Sequence, residues 1–277
     1  MANLSPDGDG GSSSLHVEDS GSGPPVVLLH SSGLSGRQWR RLASDLAKRG
    51  YRAVVPDLTG HGESAPLPEP TPFSFRTDLG PLVRLLAGLE SPAHLVGHSY
   101  GGLLALQAAL LAPASIRSVV VFDPVAFGAL DPSLDADARA NLTGLDFRWG
   151  EAESDRAGWL QLFVDYWGGD GAWAALRPDV RAEMSRVAWV VREGARTLVQ
   201  DTTPASAYRT PGIPITLLGG EQSPLAARRV LERLGEALGT PVTSVPGAGH
   251  MAPLTHTARV NELVIAALEK ARSGAAT

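Results

Sequence analysis

A chain of 277 residues, 43% of them apolar, is long enough for one large domain or one domain with a sizeable insertion. A net charge of −5 gives no electrostatic support for binding nucleic acid or an anionic membrane, and no apolar run approaches the ~20 residues of a membrane helix. The absence of cysteine excludes disulfides, thiolate metal sites and a Cys nucleophile; it suits a reducing compartment, so a cytoplasmic location is expected.

Residues 1–14 are rich in Gly, Ser and Asp, lack the basic and apolar regions of a signal peptide, and read as a disordered tail. Beyond them, short β-branched runs alternate with helical patterns, the pattern of a mostly parallel sheet covered on both faces. Strands are predicted over 26–30, 52–56, 94–97, 118–122, 213–218 and 242–245. Helices are predicted over 38–49, around Leu82, Leu85, Leu86 and Leu89, over 103–111, and near the end over 226–238 and 257–271. The rhythm breaks over 125–211, where no convincing strand occurs and helices are predicted over 136–142, 156–166, 171–176 and 178–197.

This stretch reads as an α-helical cap inserted into a core formed by 15–124 and 212–277. It carries Trp149, Trp159, Trp167, Trp173 and Trp189, with Phe127, Phe147, Phe163, Tyr166 and Tyr208. A small helical lid needs large side chains to make a core, and some of the same rings can roof an apolar pocket.

The segment Gly97-His98-Ser99-Tyr100-Gly101 carries the chemistry. As a bare Gly-x-Ser-x-Gly pattern it is weak, but an apolar strand precedes it and a helical pattern follows at once. Such a strand-to-helix turn strains its apex residue and requires small residues two positions either side, which Gly97 and Gly101 supply. It lifts the Ser99 hydroxyl to a helix N-terminus, where developing negative charge is favoured. Ser99 is thus the predicted nucleophile.

With these motifs in this order the chain resembles the α/β-hydrolase superfamily from about Leu15 to Ala271. The resemblance implies an α/β-hydrolase fold, a mostly parallel sheet flanked by helices with an inserted helical cap. It also implies a Ser…acid…His triad, with the base in the loop after the last strand. His250, in Gly247-Ala-Gly-His-Met251, occupies that loop. The family's usual acid position, in the loop after the preceding strand, is held here by Ser223, which cannot support an imidazolium as a carboxylate does. Asp123, at the carboxyl end of the strand before the cap, is the favoured acid, because such a residue points into the crevice. Glu221 is the alternative, and a Ser–His dyad a third arrangement.

The resemblance further implies an oxyanion hole from the backbone N–H groups of Tyr100 and Ser32. Substrate contacts are assigned to Ser31, His30, Phe127, Trp167 and Met251. No pair of the seven histidines has metal-ligand spacing, so neither metal nor cofactor is expected.

A Ser nucleophile argues against the family branches that open epoxides or displace halide through Asp. The expected activity is hydrolysis of a carboxylic ester or lactone of a small to medium apolar substrate through an acyl-enzyme on Ser99. Thioesterase, acyltransferase and carbon–carbon bond hydrolase activities use the same apparatus and stay open, as does a binding protein that has lost turnover. The expected partner is a small-molecule substrate, with no nucleic acid or membrane, and the chain is expected to be a monomer or homodimer.

Overall fold

The computed structural model describes residues 15–143 and 153–274. The predicted tail (1–14) and two residues of the predicted cap, Phe147 and Trp149, lie outside the described residues. Seven strands share one sheet: β1 (Val17–Gly21), β2 (Pro25–Leu29), β3 (Arg52–Pro56), β4 (Ala93–His98), β5 (Ile116–Phe122), β6 (Ile215–Gly220) and β7 (Val242–Val245). Their order is β1-β3-β2-β4-β5-β6-β7, and every pair is parallel except β1 on β3. The antiparallel edge strand β1 was not predicted. Its sequence, Val-Glu-Asp-Ser-Gly, is polar and mostly exposed, so it lacks the apolar signal that marked the others.

The central strands are apolar on both faces because both faces are covered. Alternation along β2 sends Val27 and Leu29 into one core cluster and Val26 and Leu28 into the other. The second cluster is closed by Leu42 and Leu46 of α1 (Arg40–Lys48) and by Val260, Val264 and Leu268 of α11 (Thr257–Gly274). On the opposite face lie α2 (Phe75–Ala87), α3 (Tyr100–Leu111) and α9 (Leu225–Leu238). The predicted central helix is confirmed, with every residue of α3 from Tyr100 to Ala109 buried.

Between β5 and β6 the described residues form helices and no strand: α4 (Ala136–Thr143), α5 (Glu153–Gly168), α6 (Ala172–Ala175), α7 (Pro178–Arg186) and α8 (Ala188–Val199). The single helix predicted over 178–197 is two helices broken at Val187, whose φ of −97° and ψ of 4° leave the helical well. The break lets α7 pack on α5 while α8 turns onto α2, and Val187 itself is buried at the corner. Trp159, Phe163, Trp167 and Tyr208 are buried here and join the cluster that contains Leu103 and Leu104 of α3. No helix among the described residues is long and apolar enough to cross a membrane.

Register places the chemistry. Leu29 pairs beside Gly97, Gly97 beside Val121, and Val121 beside Leu217. The carboxyl ends of β2, β4, β5 and β6 therefore end level, and the residues just beyond them face one crevice.

Candidate active site

Ser99 follows β4 directly and has φ 55° and ψ −115°, strained geometry for a residue with a Cβ. The strain is held by three hydrogen bonds. The Ser99 N–H donates to Phe122 O (2.9 Å), and its carbonyl accepts from Leu103 (3.1 Å) and Val125 (3.3 Å). A Cβ on Gly97 would stand 2.2 Å from Gly101 O, and one on Gly101 2.3 Å from Leu29 O. Both glycines are therefore favoured by close backbone approach, since a side chain at either would force the backbone to shift. Ser99 stands at the head of α3, whose dipole favours an anion.

His250 and Asp123 are brought together from sequence positions far apart. His250 sits between β7 and the short helix α10 (Ala252–Thr255), and its Nδ1 lies 3.4 Å from Asp123 Oδ2. Both side chains are enclosed, and no other partner reaches Nδ1 among the described residues. Nδ1 thus faces the carboxylate, and Nε2 lies on the other side of the ring. Asp123 also has a positive φ, 43°, and its N–H donates to Leu218 O at 2.9 Å, so the side chain is aimed across β6. Ser223 Oγ donates to the same Oδ2 at 2.5 Å. Glu221 is exposed, and its Oε2 accepts from the Gly247 N–H at 2.8 Å. Of the two weighed carboxylates, Asp123 faces His250 and Glu221 braces the turn that leads to it.

The loop after β2 has most of its N–H groups occupied. Ser31 donates to Gln38 Oε1 (3.0 Å), Gly33 to His61 Nε2 (3.2 Å) and Leu34 to Ser31 O (3.2 Å). The N–H of Ser32 has no partner among the described residues, and neither does that of Tyr100. Tyr100 is anchored through its side chain: its hydroxyl donates to the buried Asp78 Oδ2 at 2.7 Å. Burial pushes the Asp78 carboxyl up from its usual value, and burial together with the neighbouring Asp78 pushes the Tyr100 hydroxyl well above its own.

An apolar pocket opens on Ser99. Val125, Phe127, Phe163, Trp167, Ala195 and Leu198 line it, with Ser32 and Ser99 as its polar members. Its unfilled space, open mouth included, is about 350 Å³. The Trp167 ring lies over the His250 imidazole with centroids 4.3 Å apart. Among the described residues no group of three His, Cys, Asp or Glu side chains could hold a metal ion.

The sequence model of the alpha/beta hydrolase family matches residues 26–263. The chain belongs to that family. It is 28% identical over 261 residues to the 2-(acetamidomethylene)succinate hydrolase of Mesorhizobium japonicum, covering 87% of each chain. It is 38% identical over 107 residues to the pimeloyl-[acyl-carrier protein] methyl ester esterase of Methylococcus capsulatus, covering 39% of each. A thermophilic esterase from Thermogutta terrifontis superposes with a TM-score of 0.68 at 21% identity, over 93% of both chains, a likeness of fold.

In this alpha/beta hydrolase the residues assigned to substrate contact part company. Phe127 and Trp167 line the pocket; His30, Ser31 and Met251 do not. His30 is fully buried, its Nε2 accepting from the Leu58 N–H (2.9 Å) and its Nδ1 meeting Ser31 O (2.8 Å), so both ring nitrogens are spent on holding the loop. Burial lowers its pKa to about 4. Ser31 is buried and tied to Gln38, and Met251 immediately precedes α10, its carbonyl accepting from Leu254 and Thr255. Sequence reasoning missed Ala195, Leu198 and Gln38. The first two carried only helical periodicity, and nothing near Gln38 marks it apart from a solvated glutamine.

Proposed function

We propose that this alpha/beta hydrolase is a serine hydrolase that cleaves a carboxylic ester or lactone of a small to medium apolar substrate. Ser99 Oγ attacks the carbonyl carbon while His250 Nε2 takes its proton, and Asp123 steadies the imidazolium through Nδ1. The carbonyl oxygen becomes an oxyanion between the Ser32 and Tyr100 N–H groups, which are unpartnered and need no reorganisation to receive it. Collapse expels the alcohol, which takes the proton from His250 and leaves the acyl group on Ser99. Water, activated by the same nitrogen, then releases the acid.

The observation that carries this reading is the strained Ser99 backbone opening into the apolar pocket beside the enclosed His250–Asp123 pair. The esterase and hydrolase names of the two relatives support the reaction class. The apolar lining favours a substrate unlike that named for the first of them. A succinate derivative carries carboxylates, and among the described residues no Arg or Lys lines the pocket, whose described wall is almost wholly aliphatic and aromatic.

The test combines a fluorophosphonate probe with p-nitrophenyl esters of increasing chain length, run beside lactones and thioesters. Covalent labelling confined to Ser99, ester turnover, and loss of both in Ser99→Ala are expected. An unlabelled Ser99, or ester turnover that persists in Ser99→Ala, overturns the proposal.

A further inference from the structure

Three hydrogen bonds in series join the loop after β2 to the loop that carries His250. The Ser31 N–H donates to Gln38 Oε1 at 3.0 Å. Gln38 Nε2 meets His98 Nδ1 at 3.1 Å, and His98 Nε2 meets the carbonyl oxygen of His250 at 2.9 Å. The direction of every link is forced by its ends. A backbone N–H only donates and a carbonyl only accepts, so Gln38 presents its oxygen to Ser31 and its amide hydrogens to His98. Nδ1 of His98 must then accept, and Nε2 must carry the ring's one proton. Flipping the amide or moving the proton breaks two links at once.

The position of this chain gives it a consequence. His98 is fully buried and immediately precedes Ser99, and its ring lies 5.0 Å from the His250 ring. Gln38 lies in the short turn before α1, half-buried, away from the pocket. One end of the series fixes the residue next to Ser32, and the other fixes the backbone of His250. The two loops come from opposite ends of the chain and share no strand with each other.

We infer that Gln38 and His98 are positioning residues, a polar strut that sets the spacing between the oxyanion N–H of Ser32 and the base His250 across Ser99. The inference rests on the serine hydrolase reading and adds to it two residues that touch no substrate. A strut of this kind acts on the transition state, because only there must the oxyanion donor and the base both be in place. Its loss lowers kcat and leaves KM nearly unchanged. Burial and the neighbouring His250 push the His98 pKa well below its usual value, consistent with a ring held neutral.

Gln38→Leu keeps the size of the side chain and removes both of its links. The expected result is a drop of about 10- to 100-fold in kcat for a p-nitrophenyl ester, and a similar drop in the rate of fluorophosphonate labelling, the magnitude usual for a small misplacement of catalytic groups. KM stays within about threefold of the parent, and adding His98→Asn costs far less than its effect alone, because both substitutions cut one series. A nitrogen-15 correlation spectrum of the parent protein should show His98 protonated at Nε2 alone, a readout that needs no turnover and survives if a variant fails to fold. Parent-like labelling and kcat in folded Gln38→Leu, independent effects of the two substitutions, or His98 protonated at Nδ1 would each overturn the strut. Failure of the serine hydrolase reading looks different: Ser99 of the parent protein itself stays unlabelled.

Discussion

Ser223 donates a 2.5 Å hydrogen bond to Asp123, and it does so at the carboxylate oxygen that lies 3.4 Å from His250 Nδ1. The serine at the position where the family resemblance places the acid therefore supports Asp123, the acid proposed in its stead. The other oxygen, Oδ1, is buried without a partner among the described residues. All the recognised support of this carboxylate converges on Oδ2, and its orientation depends on two neighbours.

Asp123→Asn is expected to lower kcat by roughly 10³–10⁴, as loss of a triad acid does, because an amide cannot stabilise the imidazolium and can trap the wrong tautomer. Glu221→Gln is expected to cost less than ~10-fold, since its carboxylate only accepts from the Gly247 N–H at the surface. Steady-state kinetics on one ester decides between them. If Glu221→Gln is the more damaging change, Asp123 is not the acid.

Ser223→Ala removes one of the two neighbours of Oδ2 and leaves a buried carboxylate less satisfied. A loss of roughly 1–3 kcal/mol in unfolding free energy is expected from that alone. Because the carboxylate is also released to rotate, kcat should fall by about 10-fold with KM little changed. Urea unfolding and kinetics on the same preparation check both parts; a variant with parent stability and parent kcat would show that the hydrogen bond does neither job.

What could be read from the residues alone was local. The elbow was legible because Gly97, Ser99 and Gly101 fall within five residues and the strand and helix flank them. The placement of Asp123 at a strand end was legible because its apolar strand ends visibly at Phe122. The long apolar helix after Ser99 was equally plain, since α3 is buried all round. The edge strand β1 was hidden because edge pairing on β3 demands no apolar side chains. The break at Val187 was hidden because no Gly or Pro marks it; α5 and α2 impose it by packing. His30 resembled a substrate contact because it ends a strand beside the loop expected to form the oxyanion hole, yet its nitrogens serve Leu58 and Ser31. The Ser223–Asp123 bond spans 100 residues, and no local pattern carries a contact of that range.

Ala195 lies on the α8 wall of the pocket and is the smallest side chain there, which gives a direct test of where the acyl chain runs. Ala195→Leu fills part of the space with little effect on Ser99. Hydrolysis of p-nitrophenyl octanoate should fall about 10-fold or more relative to the acetate, the size expected when a few methylenes lose their place. A parallel fall for both esters, or none, would mean that the acyl chain lies elsewhere.

The buried histidines make stability depend on pH in a predictable sense. Burial lowers the pKa of His30, His61 and His94 to about 4, and that of His98 well below its usual value. In the unfolded chain each titrates near ~6.5. Between those values the unfolded form binds more protons, so this part of the stability is complete above about pH 6.5 and is lost as pH falls toward 4. Near pH 5 each such histidine contributes a slope on the order of 1.4 kcal/mol per pH unit. Asp78, raised by burial, works in the opposite sense and softens the loss. Urea midpoints measured at pH 7, 6 and 5 should therefore drop progressively more steeply. His94, near the opposite end of β4 from Ser99, has an Nδ1 that meets Ser118 Oγ (2.7 Å), and it provides the control. His94→Gln should remove about one proton from the uptake on unfolding at pH 5 and flatten the profile accordingly. A profile in that variant as steep as the parent's would show that His94 does not stay neutral in the folded chain.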